Sequence, residues 1–330
     1  MERPRTRTVG LVVALLSAAL FATSGSFARP LLEAGWSPAA AVVVRLGLAS
    51  VLLAGPATLA LRGRWHVLRA KWRPITAYGL LGGAAVQVAY FNAITFIEVG
   101  VALMLEYLGV VLVVLHVWAR TRRRPGRLRL TGMLVAVAGL AVILNPADLG
   151  SADLRGVAWG LLAATGMAVY FIVSAETADI PPVAFVAAGL GVGALALLVA
   201  GLVGLVPLHA TTEDVVIFGR SLPWWVPLLE LGVFAAALAY VSGFVAARRL
   251  GSTVASFIGL TEVVFAVCWA WLLLGELPGP VQLLGGAILL AGVTAVQAGN
   301  LREAPHRQTG APSPKARRPR GSDLRRDAVR

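Results

Sequence analysis

The chain has 330 residues, of which 58% are hydrophobic and 14% charged, and its mean hydropathy is +0.79. Soluble domains are roughly half apolar and a quarter charged, so the composition excludes an ordinary soluble enzyme and predicts a membrane protein. A formal net charge of +13 would suggest nucleic-acid binding in a soluble protein. Here Lys and Arg lie in loops and in the C-terminal tail, so we expect contact with a lipid bilayer and no nucleic-acid partner.

Ten apolar segments follow one another along the chain, each close to the about 20 residues that a helix needs to cross a bilayer. They cover residues 9–28, 39–61, 74–96, 99–119, 130–144, 157–175, 183–206, 226–247, 253–274 and 279–299. The first is long for the apolar region of a signal peptide and nine more follow it, so we interpret it as a helix. The pattern predicts an all-α polytopic membrane protein with ten transmembrane helices.

Positive charge marks the cytoplasmic side of a membrane protein. Outside the tail, 16 Lys and Arg residues lie in the N-terminus (residues 1–8) and in alternate loops, against three on the opposite side. Both termini are therefore predicted to be cytoplasmic, in a multi-pass protein of the bacterial cytoplasmic membrane. The tail, residues 300–330, is rich in Pro, Gly, Ser and Arg, a composition typical of disorder.

Two of the apolar segments match each other. ALMLEYLGVVLVVLHVW (102–118) aligns with SFIGLTEVVFAVCWAWLLLGE (256–276) so that Glu106 falls on Glu262, 156 residues further on. The segments that follow them match at a spacing of 153 residues, through the glycine pairs Gly132 with Gly285 and Gly139 with Gly292. This alignment assigns three extra residues to the connecting loop of the first half.

The chain thus divides into two five-helix halves, residues 9–145 and 156–299, joined by a linker at residues 146–155. Because five is an odd number, the second half enters the membrane from the opposite side. Such inverted repeats are the plan by which many secondary transporters build two alternating gates around one central site.

Three stretches carry a resemblance to a known family: Pro38 with VRLGLAS (44–50), LEYLGVV (105–111) and TVASFIGLTEVVFAVCWAWLLLGE (253–276). The chain resembles the drug/metabolite transporter superfamily, in its ten-helix form with two EamA-type repeats. LEYLGVV further resembles the threonine/homoserine exporter branch. The family often has Pro directly after the second carboxylate, where this chain has Val263, and the branch has Pro where Val110 stands. The resemblance implies alternating access, export of a small metabolite such as an amino acid, and proton antiport.

Glu106, Glu262 and Arg45 are ionisable residues that lie inside apolar segments. An ionised group at the bilayer centre costs at least ~2.5 kcal/mol, so it usually faces the helix bundle and serves a purpose. Glu106 and Glu262 are predicted to bind a substrate ammonium group or the coupling proton, and Arg45 a substrate carboxylate. Alternatively, Glu106 and Arg45 pair only with each other, or the long Arg45 side chain extends to the membrane surface. Burial opposes ionisation and an arginine neighbour favours it, so the partner decides whether Glu106 exchanges protons.

The other polar side chains within the segments are candidates for lining a cavity, or for hydrogen bonds between helices. They are Gln87, Tyr90, Asn92, Tyr107, Tyr170, Tyr240 and Gln297. Glu276 ends the ninth segment and is predicted to be a solvated residue.

No enzyme signature is present in the sequence. There is no GxxxxGK[ST] loop for ATP and no HExxH, the four histidines have no metal-ligand spacing, and the single cysteine, Cys268, has no partner. We therefore predict no cofactor, no metal and no catalysis. Two other functions remain open, a non-transporting scaffold or accessory subunit and a transporter of lipid-linked or drug-like cargo. The sequence leaves the oligomeric state undetermined.

Overall fold

The computed structural model describes residues 4–122, 124–144, 153–175, 180–250 and 252–303. Residues 146–152 of the predicted linker and residues 304–330 of the predicted tail lie outside the described residues. Within them, seven helices are long and apolar enough to cross a membrane, so the protein is a polytopic membrane protein. They are Thr8–Glu33, Pro38–Leu61, Val99–Thr121, Leu154–Val173, Pro182–Leu202, Trp225–Gly243 and Pro280–Gly299.

The first half of the chain contains eight α-helices and a π-helical segment within the residues that the structure describes. They are α1 (Pro4–Glu33), α2 (Pro38–Leu61), α3 (Trp65–Ala70), α4 (Trp72–Ala77), the π-helix π1 (Tyr78–Ala85), α5 (Val86–Ala93), α6 (Val99–Glu106), α7 (Gly109–Thr121) and α8 (Arg127–Ile143). The helix α2 begins at an N-cap, Ser37, which accepts a hydrogen bond from the Ala40 amide, with Pro38 at the first helical position.

The second half repeats this pattern and adds a hairpin. Its elements are α9 (Leu154–Ala175), α10 (Pro182–Leu202), β1 (Val215–Ile217), β2 (Arg220–Leu222), α11 (Trp225–Leu229), the π-helix π2 (Glu230–Leu238), α12 (Ala239–Leu250), α13 (Ser252–Gly259), α14 (Thr261–Leu274) and α15 (Pro280–Glu303). The three predicted segments that are not among the seven long helices coincide with α4 to α5, α8, and α13 with α14.

The antiparallel hairpin β1–β2 is a departure from the predicted all-α fold. Phe218 and Gly219 connect its strands with φ angles of 56° and 66°, the conformation of a type I′ turn, which glycine adopts without steric cost. The Phe218 amide donates to the Leu273 carbonyl at 3.4 Å, so the hairpin lies against the end of α14. Its apolar strand is too short to appear in a hydropathy pattern.

Glycines bring the last helices of the two halves into backbone contact. A Cβ on Gly132 would lie 2.7 Å from the Gly292 carbonyl, and one on Gly139 would lie 2.7 Å from the Gly285 carbonyl. Gly132 corresponds to Gly285 in the repeat but contacts Gly292. Gly139 corresponds to Gly292 but contacts Gly285. This exchange is what two helices related by a pseudo-twofold axis produce, and small residues permit the close approach.

The backbone repeats itself at one constant spacing. The helices α6 and α13 begin at residues 99 and 252 and end at residues 106 and 259, a spacing of 153 at both ends. The two π-helices begin 152 and end 153 residues apart. The left-handed C-cap residues Arg122 and Gly275 are also 153 apart.

This constant spacing corrects the sequence alignment of the carboxylates. At 153 residues, Glu106 corresponds to Gly259 and Glu262 corresponds to Gly109, so the two glutamates differ by about one helical turn. No extra residues are needed in the loop of the first half. The alignment by sequence was wrong because it matched two identical side chains in apolar surroundings, where many registers score alike.

Both halves break the helix that carries the carboxylate, although neither has a proline there. The Val110 amide donates to the Tyr107 carbonyl at 3.2 Å, and the Val263 amide donates to the Leu260 carbonyl at 3.4 Å. These i to i−3 hydrogen bonds interrupt the α-helical i to i−4 pattern in each half. The helix therefore breaks at Val110 and at Val263, the two positions where the resemblance implies proline.

Candidate functional site

A polar cavity of about 40 Å³ lies among α1, α2, α5, α6 and α14. Nine residues line it: Phe21, Ala22, Ser24, Arg45, Gln87, Tyr90, Leu103, Glu106 and Glu262. One ordered water needs a cavity of roughly 10–15 Å³, so this cavity has room for about three waters. Arg45, Glu106 and Glu262, the three charged residues that the sequence predicts for the site, all line this cavity.

Arg45 is held in place by helices of both halves. Its side chain is buried, with 4% exposed, and Nη1 donates to Ser24 Oγ of α1 and to Gln87 Oε1 of α5, the latter at 2.7 Å. Nη2 donates to the Ala235 carbonyl of π2 at 3.3 Å, and the guanidinium lies 5.7 Å from the Phe91 ring centre. These neutral partners orient the guanidinium and leave its charge without a counter-ion in direct contact.

Arg45 and Glu106 line the same cavity without forming an ion pair. Among the residues that the structure describes, no carboxylate lies within 4.0 Å of the Arg45 nitrogens. A structural pair buried in a low-dielectric interior is strongly attractive only in direct, hydrogen-bonded contact. The hypothesis that the two residues serve only as each other's partner therefore has no support from this geometry.

Glu106 is the last residue of α6, directly before the helix break. It is 7% exposed, and no described residue donates a hydrogen bond to its carboxylate. Burying a charge without a partner is costly. A carboxylate that faces a water-sized cavity in this condition is available to a cationic ligand or a proton.

Glu262 lies just beyond the break of the second half and contacts the hydroxyl of Tyr107. That hydroxyl is 3.0 Å from Glu262 Oε2 and 3.2 Å from the Gly259 carbonyl. A phenol has one proton to donate, so it serves one acceptor at a time. Tyr107 can thus donate to an ionised Glu262, or donate to the Gly259 carbonyl and accept a hydrogen bond from a protonated Glu262.

The remaining predicted site residues divide into three groups. Gln87 and Tyr90 line the cavity. Tyr170 and Tyr240 contact other aromatic rings: Tyr170 packs against Tyr78, and Tyr240 packs edge-on against Phe21 at 4.9 Å. Two others lie away from the cavity: Asn92, which donates to the Val88 carbonyl of its own helix at 2.7 Å, and Gln297, which belongs to α15.

Glu230 is a third intramembrane carboxylate, and the sequence analysis missed it. It begins π2, and its Oε1 is hydrogen-bonded to Thr23 Oγ1 of α1. The sequence contains the feature that identifies it, because Glu230 is the single acidic residue inside the eighth apolar segment, as Glu106 is in the fourth. No carboxylate in the other half matches it.

Glu276 is not the solvated residue that the sequence predicted. Arg29 Nη1 lies 2.8 Å from its Oε1, and the Val99 amide donates to its Oε2 at 3.4 Å. Only 18% of the Glu276 side chain is exposed, and this burial raises the pKa of its carboxyl although Arg29 opposes the shift. The contacts join the end of α1, the start of α6 and the segment that follows α14.

Comparisons with known proteins agree with this architecture. Residues 8–145 and 154–297 each match the EamA-like transporter family. The threonine/homoserine exporter RhtA of Escherichia coli (strain K12) is 28% identical over 289 residues, which cover 85% of this chain and 89% of RhtA. A protein of Streptantibioticus cattleyicolor, named a probable terminal-alkyne amino-acid exporter, is 31% identical over 273 residues, 79% of this chain and 84% of its own.

One solved crystal structure superposes with a TM-score of 0.56 at 19% sequence identity, covering 89% of this chain and 98% of its own. That likeness concerns the fold alone. The repeated helix breaks, the charged cavity at the contact of the two halves and the double family match have one explanation: the chain belongs to the EamA-like transporter family.

Proposed function

We propose that this protein exports a small zwitterionic metabolite, an amino acid such as threonine or homoserine, across the bacterial cytoplasmic membrane. The observation that carries the proposal is the cavity wall, where one guanidinium and two carboxylates face the same space without pairing. An amino acid has the complementary charges. The similarity to two proteins named as amino-acid exporters supports the same cargo class.

In this proposal each charged residue binds one charged end of the amino acid. Arg45 binds the carboxylate through its planar fork, which matches the two oxygens of a carboxylate. Glu106 binds the ammonium group, because its carboxylate faces the cavity without another donor. Glu262 also attracts the ammonium group, and the Tyr107 hydroxyl stabilises its ionised carboxylate by donating a hydrogen bond.

The proposal requires alternating access. A cavity of about 40 Å³ is too small for an amino acid, so the helices must separate for the ligand to enter and to leave. Ten helices in two inverted halves, with both termini in the cytoplasm, would provide two gates around this cavity. On that orientation, the Arg29–Glu276 contact closes the outer gate.

The cavity also bears on the other cargo classes. Polar groups dominate its wall, and the apolar side chains that reach it are Phe21, Ala22 and Leu103. A lipid-linked or bulky apolar cargo needs a wide apolar surface to replace its contacts with the bilayer. The lining therefore favours a small polar cargo.

The test uses purified protein in liposomes and measures exchange of labelled threonine or homoserine between inside and outside. Glu106→Gln and Arg45→Met should each lower exchange at least about tenfold, since a hydrogen bond to a charged group contributes about 1.5–3 kcal/mol. The matched control is Glu213→Gln, which removes an exposed carboxylate in the loop before β1 and should leave exchange unchanged.

Competing ligands separate the two roles. For the unmodified protein, analogues lacking either the carboxylate or the ammonium group should compete poorly. Arg45→Met should reduce the penalty for a missing carboxylate, and Glu106→Gln the penalty for a missing ammonium group. Folded variants that exchange amino acids at the unmodified rate, or an unmodified protein that exchanges none, would contradict the proposal.

A further inference from the structure

Glu230 occupies a position that the two halves share in backbone but differ in chemistry. It is the first residue of π2, and at the spacing of 153 residues it corresponds to Ala77, the residue directly before π1. π-Helical segments are rare and occur frequently at functional sites. The carboxyl group is therefore a feature of the second half alone, and it lies outside the cavity lining.

The hydrogen bonds of Thr23 indicate which group holds the proton. Its Oγ1 is 2.6 Å from the Leu20 carbonyl, the usual bond of a helical threonine to its own backbone, and it also contacts Glu230 Oε1. A threonine hydroxyl has one proton to donate. With an ionised Glu230 the single Thr23 proton is shared between two acceptors, whereas a protonated Glu230 can donate to Thr23 while Thr23 donates to Leu20, which makes each contact a full hydrogen bond.

The second oxygen of Glu230 supports the same assignment. Oε2 is buried and has no hydrogen-bond partner among the described residues. An unpartnered carbonyl oxygen of a neutral acid costs less to bury than an unpartnered carboxylate oxygen. In the arrangement seen here, the neutral form leaves no charged oxygen buried without a partner.

A charged partner is within electrostatic range for the ionised form. The elements packed against π2 are α1, α2, α11 and α12. Thr23 faces Glu230 from α1, and Arg45 of α2 interacts with it electrostatically. Tyr240 of α12 interacts with Arg45, and α11 has no titratable side chain. Arg45 already donates to Ala235 on π2, so it links this helix to the substrate cavity.

We propose that Glu230 is the proton-binding site of the transporter, separate from the carboxylates that face the substrate. The inference rests on the proposed transport function and names its coupling group. A proton from water on the outer side binds the Glu230 carboxylate and is held through Thr23. When the proton leaves to water on the cytoplasmic side, the ionised carboxylate turns to Arg45, which then shifts its contacts at the cavity.

The first experiment measures protonation without transport. Infrared difference spectra of the protein in liposomes, recorded over a pH titration, should contain a protonated-carboxyl carbonyl band that Glu230→Gln removes. Thr23→Val should shift this band, because the hydrogen bond is lost, and Thr23→Ser should restore it. If no pH-dependent band depends on Glu230, the proposal is overturned. If Glu230→Gln does not fold, the Thr23 pair gives the same decision.

The second experiment separates coupling from substrate binding. In liposomes, Glu230→Gln should exchange labelled amino acid between equal pools at the unmodified rate and lose accumulation driven by a pH gradient. The matched control is Tyr78→Phe, at the first residue of π1, which should keep both activities. Retained gradient-driven accumulation in Glu230→Gln would overturn the inference. Absence of any exchange in the unmodified protein would instead refute the proposed function.

Discussion

The two halves of this protein share a backbone and differ in the groups they attach to it. Both have a π-helix, a broken helix, a left-handed C-cap and a glycine contact at a spacing of 152 to 153 residues. At corresponding positions, however, Glu106 matches Gly259, and Glu230 matches Ala77. The comparison teaches that the repeat preserves where the backbone bends, while each half supplies a different part of the chemistry.

The glycine contact gives the largest expected effect and tests the shared part. A Cβ on Gly139 would lie 2.4 Å from the Leu289 amide nitrogen, and one on Gly292 would lie 2.3 Å from the Ala136 amide nitrogen. Gly139→Val and Gly292→Val should each destabilise the protein by about 3 kcal/mol, since backbone cannot yield to an added side chain. Denaturant unfolding in detergent measures the loss.

The control for this pair is Gly55→Ala, where no atom lies within 4 Å of the added Cβ. It should change the free energy of unfolding little. A large difference between Gly139→Val and Gly292→Val would show that the backbone contact is not symmetric.

The two cavity carboxylates give the next effect and test the asymmetric part. Glu106→Gln should weaken amino-acid binding more than Glu262→Gln, by about tenfold if it removes one hydrogen bond to a charged group. The amide of a glutamine at position 262 can still accept from Tyr107, whose hydroxyl lies 3.0 Å from the native carboxylate. Binding of labelled substrate to the detergent-solubilised variants gives both affinities, and equal losses would contradict the assignment.

The smallest effect concerns the helix breaks themselves. A Cβ on Gly109 would lie 2.6 Å from the Ala164 carbonyl, whereas a Cβ on Gly259 meets no atom within 4 Å. Gly109→Ala should therefore destabilise the protein by about 1–3 kcal/mol, and Gly259→Ala should change stability by less than about 0.5 kcal/mol. Thermal unfolding of the two variants checks the difference. The reverse order would mean that α7 and α13 are packed differently from the structure described here.

Hydropathy alone located the helices, because a bilayer demands long apolar segments with internal hydrogen bonds. The predicted start of the second segment at residue 39 differs by one residue from the observed start at Pro38. Glu106, Glu262 and Arg45 were identified for a related reason, since charge inside such a segment is costly. The resemblance to transporters through LEYLGVV also followed from the sequence, and the family match agrees with it.

The tertiary structure decided which of these groups meet and in what register. Sequence matching paired Glu106 with Glu262 because apolar helices resemble one another at many offsets, whereas hydrogen bonds at the breaks fix a spacing of 153. Burial of Glu276 against Arg29 depends on helix ends that are distant in the chain. The hydrogen bond between Thr23 and Glu230 likewise exists only because α1 packs on π2, since residues 207 positions apart meet only in three dimensions.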